Sequence, residues 1–326
     1  MTMAGWYLAK MEMVDSSKEI IIKDSTLREG LDVPNVSFSP EQKLKIAKLL
    51  DKANVPEIEV VAPSRVLEDL EFVKRLREEG LKLRTSGLIY SYDPGCREEI
   101  EEASRYLNRF DLLMPVSFRR KPQDRDAKMK LLLDSLAYSL NYHSEVGAGF
   151  PHSIQTEFEF LLEISKEAAN VGANRITIYD TNGGSDPFTV YELIKQLKKV
   201  LEVSIFFHGH NDLGLATANS LAAVFAGADG LDVTVNGLGD RAGNASLEQV
   251  VLSLHLKGFN TRVEIGDLRL LSRSVEEESG VSLSKLTPIV GEYIFSHKSP
   301  SHLENPGLFE AFDPEIVNSY RKLSKS

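Results

Sequence analysis

The chain is predicted to be an α/β protein, a (β/α)8 TIM barrel with a small C-terminal helical appendage. Short β-rich runs alternate with longer amphipathic ones along most of the sequence, and there are eight of them. The eight units fill residues 19–258, close to the roughly 250 residues such a barrel uses. Alternation implies parallel strands joined by helical crossovers, and eight units suit a closed barrel better than an open doubly wound sheet.

In order, the strand candidates are residues 20–23, 58–61, 83–90, 112–116, a weak run at 146–150, then 176–179, 203–207 and 231–235. Helical patterns lie between them. After the sixth run, Val190, Leu193, Ile194, Leu197 and Val200 follow the i, i+3, i+4, i+7 spacing that gathers apolar side chains on one helix face. Residues 1–18 are expected to be a tail. Residues 259–326 are expected to form a small C-terminal subdomain, with helical periodicity around 268–274 followed by a polar stretch containing Pro288, Pro300, Pro306 and Pro314.

Composition removes several function classes. No run of about 18 apolar residues is present to span a bilayer, and the N-terminus lacks the basic-then-apolar pattern of a signal peptide. No membrane partner is expected. The single cysteine, Cys96, rules out an intrachain disulfide framework and a cysteine zinc site, which fits a reducing, cytoplasmic setting. A formal charge of −10 repels phosphate backbones, and clusters such as Arg119-Arg120-Lys121 are too short to make an electrostatic track. No nucleic-acid partner is expected.

Barrel chemistry stands at the C-terminal ends of the strands. Four runs end in reactive segments: Asp24 to Gly30, Tyr179 to Gly183, His208 to Asp212 and Asn236 to Asn244. Side chains i and i+2 of a strand point the same way, so His208 and His210 can reach one ion together. An isolated pair of this kind more often only hydrogen-bonds locally. Here Asp24 supplies a carboxylate on the first strand, onto which the eighth closes, and Asn244 could add a carboxamide oxygen. Two imidazoles and one carboxylate leave positions open on a divalent cation such as Mg, Mn or Zn, as a Lewis-acid site requires.

Gly237, Gly239 and Gly243 follow the last strand, not the first, so the dinucleotide fingerprint is not met and a nicotinamide cofactor is disfavoured. A tight loop whose N–H groups approach a phosphate or carboxylate, with Arg241 nearby, is one reading; a plain turn is the other. Arg28 has the planar fork that clamps a carboxylate, or a structural role. Thr181 could contact a ligand or, with Asp180, cap the next helix. Glu59 is either a buried partner of Arg28 or a solvated residue.

Asp24-Ser-Thr-Leu-Arg-Glu-Gly30, His208-Gly-His-Asn-Asp-Leu-Gly214 and Asn236-Gly-Leu-Gly-Asp-Arg-Ala-Gly-Asn244 together resemble the DRE-TIM metallolyases. Within them the chain is similar to the homocitrate, isopropylmalate and citramalate synthase branch. The resemblance implies a divalent metal held by Asp24, His208, His210 and Asn244, and condensation of an acyl-CoA with a 2-oxo acid. It implies that Arg28 and Thr181 hold the oxo acid and act in the reaction; Glu59, and Asp32 and Arg119 at positions that depart from the synthase pattern, are further candidates to line its pocket. The loop carrying Asn236, Gly237, Gly239, Arg241 and Gly243 would lie beside the CoA arm. His302, contributed by the second subunit of a homodimer, would complete the site. A carbon–carbon lyase of the same superfamily, or a metal-binding homologue with little activity, are the other readings.

Several positions depart from the synthase pattern. Leu31-Asp32 stands where synthases usually have Glu-Gln, Pro300 replaces a glycine, and a family tyrosine falls on Phe309, which removes a proton donor.

Overall fold

The computed structural model describes residues 18–63, 65–117 and 125–324. Eight strands close into a parallel barrel: β1 Ile21–Asp24, β2 Glu57–Val61, β3 Arg84–Tyr90, β4 Arg109–Leu113, β5 Val146–Phe150, β6 Arg175–Asp180, β7 Ser204–Gly209 and β8 Gly230–Val233, with β8 pairing back onto β1. This is the predicted TIM barrel. A four-residue helix, α1 Thr26–Glu29, follows β1 directly. The crossovers are α2 Pro40–Lys52, α3 Val66–Glu78, α4 Cys96–Tyr106, α5 Arg125–Ser139, α6 Phe158–Val171, α7 Pro187–Lys198 and α8 Ala216–Phe225, with α9 Leu247–Leu256 after β8.

The helices start where their first turns are satisfied. Ser39 accepts from the Gln42 backbone N–H while the Gln42 side chain returns to the Ser39 N–H, with Pro40 at the first helical position of α2. Asp186 does the same work for α7, accepting from Phe188 and Thr189 ahead of Pro187. The apolar stripe of α7, Val190, Ile194 and Leu197, is fully buried, each side chain contributing roughly 1.5–3 kcal/mol.

Strand faces separate two interiors. Outward residues such as Ile22, Ile58, Ile176, Ile178, Ile205 and Phe207 pack against the helices in the main apolar cluster. The inward face is polar at its centre. Glu57 and Arg175 pair bidentately at 2.7 and 2.9 Å, the Arg175 guanidinium lies 3.6 Å above the Phe206 ring, and Asp111 accepts from Arg109 at 3.0 Å and from Thr177 at 3.2 Å. That is why β4 begins at Arg109 rather than at residue 112, and β2 at Glu57: a search for apolar runs passes over charged residues that face the axis.

Beyond α9, helix α10 Leu268–Ser279 packs against α2 and the turn after β8. The rest is mostly irregular, with a five-residue helix, α11 Pro300–Glu304, and one short parallel pair, β9 Ser296–His297 with β10 Lys322–Leu323. Leu252, Ile289, Val290, Phe295 and Val317 form a separate small core there. Pro300 occupies the first position of α11, where its missing N–H costs nothing.

Candidate metal centre and active site

His208 lies on the inward face of β7 and His210 two residues on, just past the strand end. Their Nε2 atoms stand 3.3 Å apart, and Glu29 Oε1 lies 3.3 Å from His208 Nε2. Side-chain ligand atoms of Glu29, His208 and His210 all fall within 4.8 Å of one another, and all three residues are buried. His208 Nδ1 meets Asp232 Oδ2 at 3.1 Å, a contact that aims the other ring nitrogen at the cluster. Burial, followed by the charge of His208, pushes His210 down to about 3, so its imidazole is neutral. Burial works in the same direction on His208, yet the hydrogen bonds and charges of Asp232 and Glu29 carry it above its ordinary value. Burial would raise Glu29, but Arg28 and the histidines hold it below the usual carboxylate range.

This donor set fits a divalent cation. Two ring nitrogens face each other across 3.3 Å with a buried carboxylate beside them, and Asn244 Nδ2 lies 3.1 Å from His208 Nε2 while its Oδ1 has no hydrogen-bond partner among the described residues. Amide orientation is an assignment, and the opposite one points the oxygen at the cluster. A nitrogen- and oxygen-binding ion satisfies all four side chains at once.

The expected ligand Asp24 is not in this cluster, whose carboxylate is that of Glu29. Lys23 faces the barrel axis, so Asp24 points to the opposite side of β1. Its Oδ1 accepts from the Thr26 N–H at 3.0 Å and its Oδ2 from Thr26 Oγ1 at 2.9 Å, and that hydroxyl in turn accepts from the Val235 N–H at 2.8 Å. Asp24 thus shapes the turn into α1, which carries Glu29 back over the strand end. Strand parity applied to residues 23 and 24 would have given the signal.

Arg28 is held by Glu59, through Nε at 2.7 Å and a terminal nitrogen at 2.6 Å, and also pairs with Glu29. Glu59 is fully buried, and its second oxygen accepts from Lys23 Nζ at 2.6 Å. Both of its oxygens are engaged by cations, and of the two readings of this residue the structure shows the buried partner of Arg28. Lys23 also lies 3.0 Å from Asp232, the partner of His208. Lys23 and Asp232 were missed because site residues were sought past the strand ends and not within the strands, and Glu29 because it lies on the short helix α1.

Thr181 Oγ1 accepts from the His152 N–H at 2.8 Å, leaving its own proton to donate. Asp32 sits at the rim in a 3-10 turn, Gly30–Asp32, where burial and then the charge of Glu29 push its carboxyl up. Arg119 lies outside the described residues. His302 is on α11, stacked on Phe309 at 3.7 Å and 3.3 Å from His297 Nδ1, away from the Glu29, His208 and His210 group.

Several N–H groups of the glycine loop are taken by protein partners. The Asn236 N–H donates to Glu248, Gly237 to Thr234 O, Gly243 to Asp240 O and Asn244 to Gly237 O. Arg241 donates to both oxygens of Asp212, at 2.8 and 2.9 Å, and to Thr181 O at 2.8 Å. The N–H bonds close the loop on itself and onto α9, and Arg241 ties it to the loops after β6 and β7. Gly239 is needed for a different reason: a Cβ there would sit 1.9 Å from Asn244 Oδ1. Against this loop lies a cavity of about 240 Å³, with Val33, Val275, Val281 and Leu283 on its other walls.

Comparison with known proteins identifies the family. The HMGL-like family model matches residues 19–275. Homocitrate synthase AksA of Methanopyrus kandleri is 35% identical over 323 residues, covering 95% of this chain and 80% of that protein. The 2-isopropylmalate synthase of Sulfolobus acidocaldarius is also 35% identical, over 317 residues, 95% of this chain and 82% of that protein. Among solved structures, the HMG-CoA lyase of Bacillus subtilis superposes with a TM-score of 0.71 at 19% identity, covering 86% of this chain and 98% of that one, a likeness of fold. The chain belongs to the HMGL-like, or DRE-TIM, family, with homocitrate and isopropylmalate synthases among its relatives.

Proposed function

We propose that the protein is an acyltransferase that condenses an acyl-CoA, with acetyl-CoA as first candidate, with a 2-oxo acid to give a 2-hydroxy di- or tricarboxylic acid and free CoA. The observation that carries this reading is the convergence of Glu29, His208 and His210 beside Arg28 at the barrel mouth, in a chain whose relatives are named as synthases of this type.

Glu29, His208, His210 and Asn244 would hold a divalent cation, which when bound supplies Lewis-acid polarisation of a substrate carbonyl. Arg28, fixed by Glu59, presents its fork to the anionic oxo acid, so its orientation is set before substrate arrives. Thr181 donates a hydrogen bond from its hydroxyl to the substrate carboxylate. The cavity beside the glycine loop gives the thioester arm room, and its apolar wall suits a chain of methylenes. A base takes a proton from the α-carbon of the acyl-CoA, that carbon bonds to the keto carbon, and the keto oxygen receives a proton. Water then cleaves the thioester and CoA leaves as a thiol. In this reading His302, brought by the second subunit of a homodimer, carries one of these protons. No helix among the described residues is long and apolar enough to cross a membrane.

The test is CoA-thiol release from acetyl-CoA with pyruvate, 2-oxoisovalerate or 2-oxoglutarate, on metal-stripped protein with magnesium, manganese or zinc restored. Release that needs one oxo acid, a metal and Glu29 is expected. Release without an oxo acid, or consumption of a preformed hydroxyacyl-CoA in place of synthesis, would move the assignment to a hydrolase or a lyase.

A further inference from the structure

Tyr179 holds a hydroxyl that the site does not otherwise use. It is the last of three inward residues on β6, after Arg175, which pairs with Glu57, and Thr177, which donates to Asp111. It is therefore on the floor of the mouth. Its register partner on β7 is His208, and the phenol ring lies against that imidazole with centroids 4.7 Å apart and planes 33° from parallel. With Leu88 and Leu113 it forms a small apolar wall at the mouth, separate from the main core.

The ring is 5% exposed, and its hydroxyl has no hydrogen-bond partner among the described residues. Leaving a buried hydroxyl unpaired costs about 1–3 kcal/mol, a penalty that phenylalanine at the same place would avoid. The neighbouring strand lets the ring pack closely. At Gly149 of β5 an added Cβ would come within 3.0 Å of the ring edge and 3.4 Å of the hydroxyl oxygen. Burial and an unsatisfied donor thus meet on a ring that lies against His208, one of the Glu29, His208 and His210 group.

We infer that Tyr179 is a substrate-contacting residue whose hydroxyl donates a hydrogen bond to an oxygen of the 2-oxo acid. The inference rests on the condensation reading above. At neutral pH a phenol is protonated, so it offers a donor, and an oxo acid is rich in acceptor oxygens. The acyl-CoA is a poorer match, because its bulk belongs at the loop-side cavity and not on the floor between β5 and β6. The ring also limits how far the oxo acid's side chain extends over Leu88 and Leu113.

The experiment compares wild type with Tyr179→Phe, which keeps the ring and removes only the hydroxyl. Calorimetric titration of magnesium-loaded protein with pyruvate, 2-oxoisovalerate and 2-oxoglutarate gives the oxo-acid affinity, thermal unfolding gives stability, and CoA release gives KM for each substrate. For the oxo acid that wild type binds best, Tyr179→Phe is expected to bind about tenfold more weakly. Its Tm should be equal or higher, and its KM for acetyl-CoA unchanged. Equal oxo-acid affinity in the two proteins, or a lower Tm in the variant, would overturn the inference while leaving the condensation reading in place. Wild type binding none of the three acids would remove the reading, and the inference with it.

Discussion

Lys23 Nζ stands 2.6 Å from Glu59 Oε2 at the centre of the barrel, with both side chains fully buried. The same nitrogen lies 3.0 Å from Asp232. One cation therefore joins the carboxylate that orients Arg28 to the carboxylate that orients His208. Replacing it with an apolar residue leaves two buried anions facing each other. Lys23→Met is expected to lose about 3–5 kcal/mol of stability, the usual result of removing one partner from a buried ion pair. Urea unfolding checks this, and a loss below about 1 kcal/mol would show that the network is not continuous. Neutralising one of the anions in the double variant Lys23→Met/Glu59→Gln should recover part of the loss.

The exchange of Asp24 for Glu29 is separable by metal binding alone. Glu29→Gln should weaken divalent-metal affinity at least about a hundredfold, beyond the 10–100-fold typical of losing a residue that only supports a ligand. Asp24→Asn should leave it within about threefold, because that carboxylate is spent on Thr26. Titration of stripped protein with manganese or zinc measures both, and the reverse ranking would restore Asp24 to the site.

What could be read in advance followed from periodicity. The barrel was legible because period-two and period-3.6 patterns alternate, and the histidine pair was legible because its spacing alone puts both rings on one face. The charged interior was not, since Lys23, Glu57, Arg109 and Arg175 resemble surface residues until their partners on other strands are known. Glu29 was hidden by the four-residue helix α1, whose turn reverses the chain immediately after β1. Asp24 drew attention because it directly follows an apolar run. The glycine loop was recognisable as a tight loop, but which partners hold it was not: its N–H groups bond within the loop and to Glu248, while Arg241 is held by Asp212 and Thr181 on the two preceding strand ends.

Asp24 also makes a pH dependence. Burial, against hydrogen bonds from Thr26, pushes its carboxyl up from 3.8 to about 7. The folded chain then holds this proton over a range where the unfolded chain has released it. Its contribution to stability is full below about pH 4 and is lost as the pH rises through about 7, with a slope of up to about 1.4 kcal/mol per pH unit. Asp24→Asn cannot ionise, so its stability curve over this window should be flatter than that of wild type. Urea midpoints measured from pH 4 to pH 8 on metal-stripped protein give the comparison, and parallel curves would mean the carboxyl ionises normally.

Gly239→Ala tests whether the loop acts on the metal centre through packing. The new Cβ would lie 1.9 Å from Asn244 Oδ1 and 3.5 Å from Glu29 Cβ. The first distance is impossible, so Asn244 must turn or the loop must shift. The φ of Gly239 is not in the left-handed region, so the alanine is excluded by contact and not by backbone strain. Metal affinity is expected to fall about tenfold, the lower end of what losing a supporting contact costs. Gly237→Ala strains the loop through its positive φ of 68°, yet its nearest new contact is the Asn244 backbone oxygen at 3.0 Å, not the side chain. It should therefore lower Tm more than it lowers metal affinity. If the two variants lost metal affinity equally, loop strain would account for both, and the direct contact between Gly239 and Asn244 would not be what sets the site.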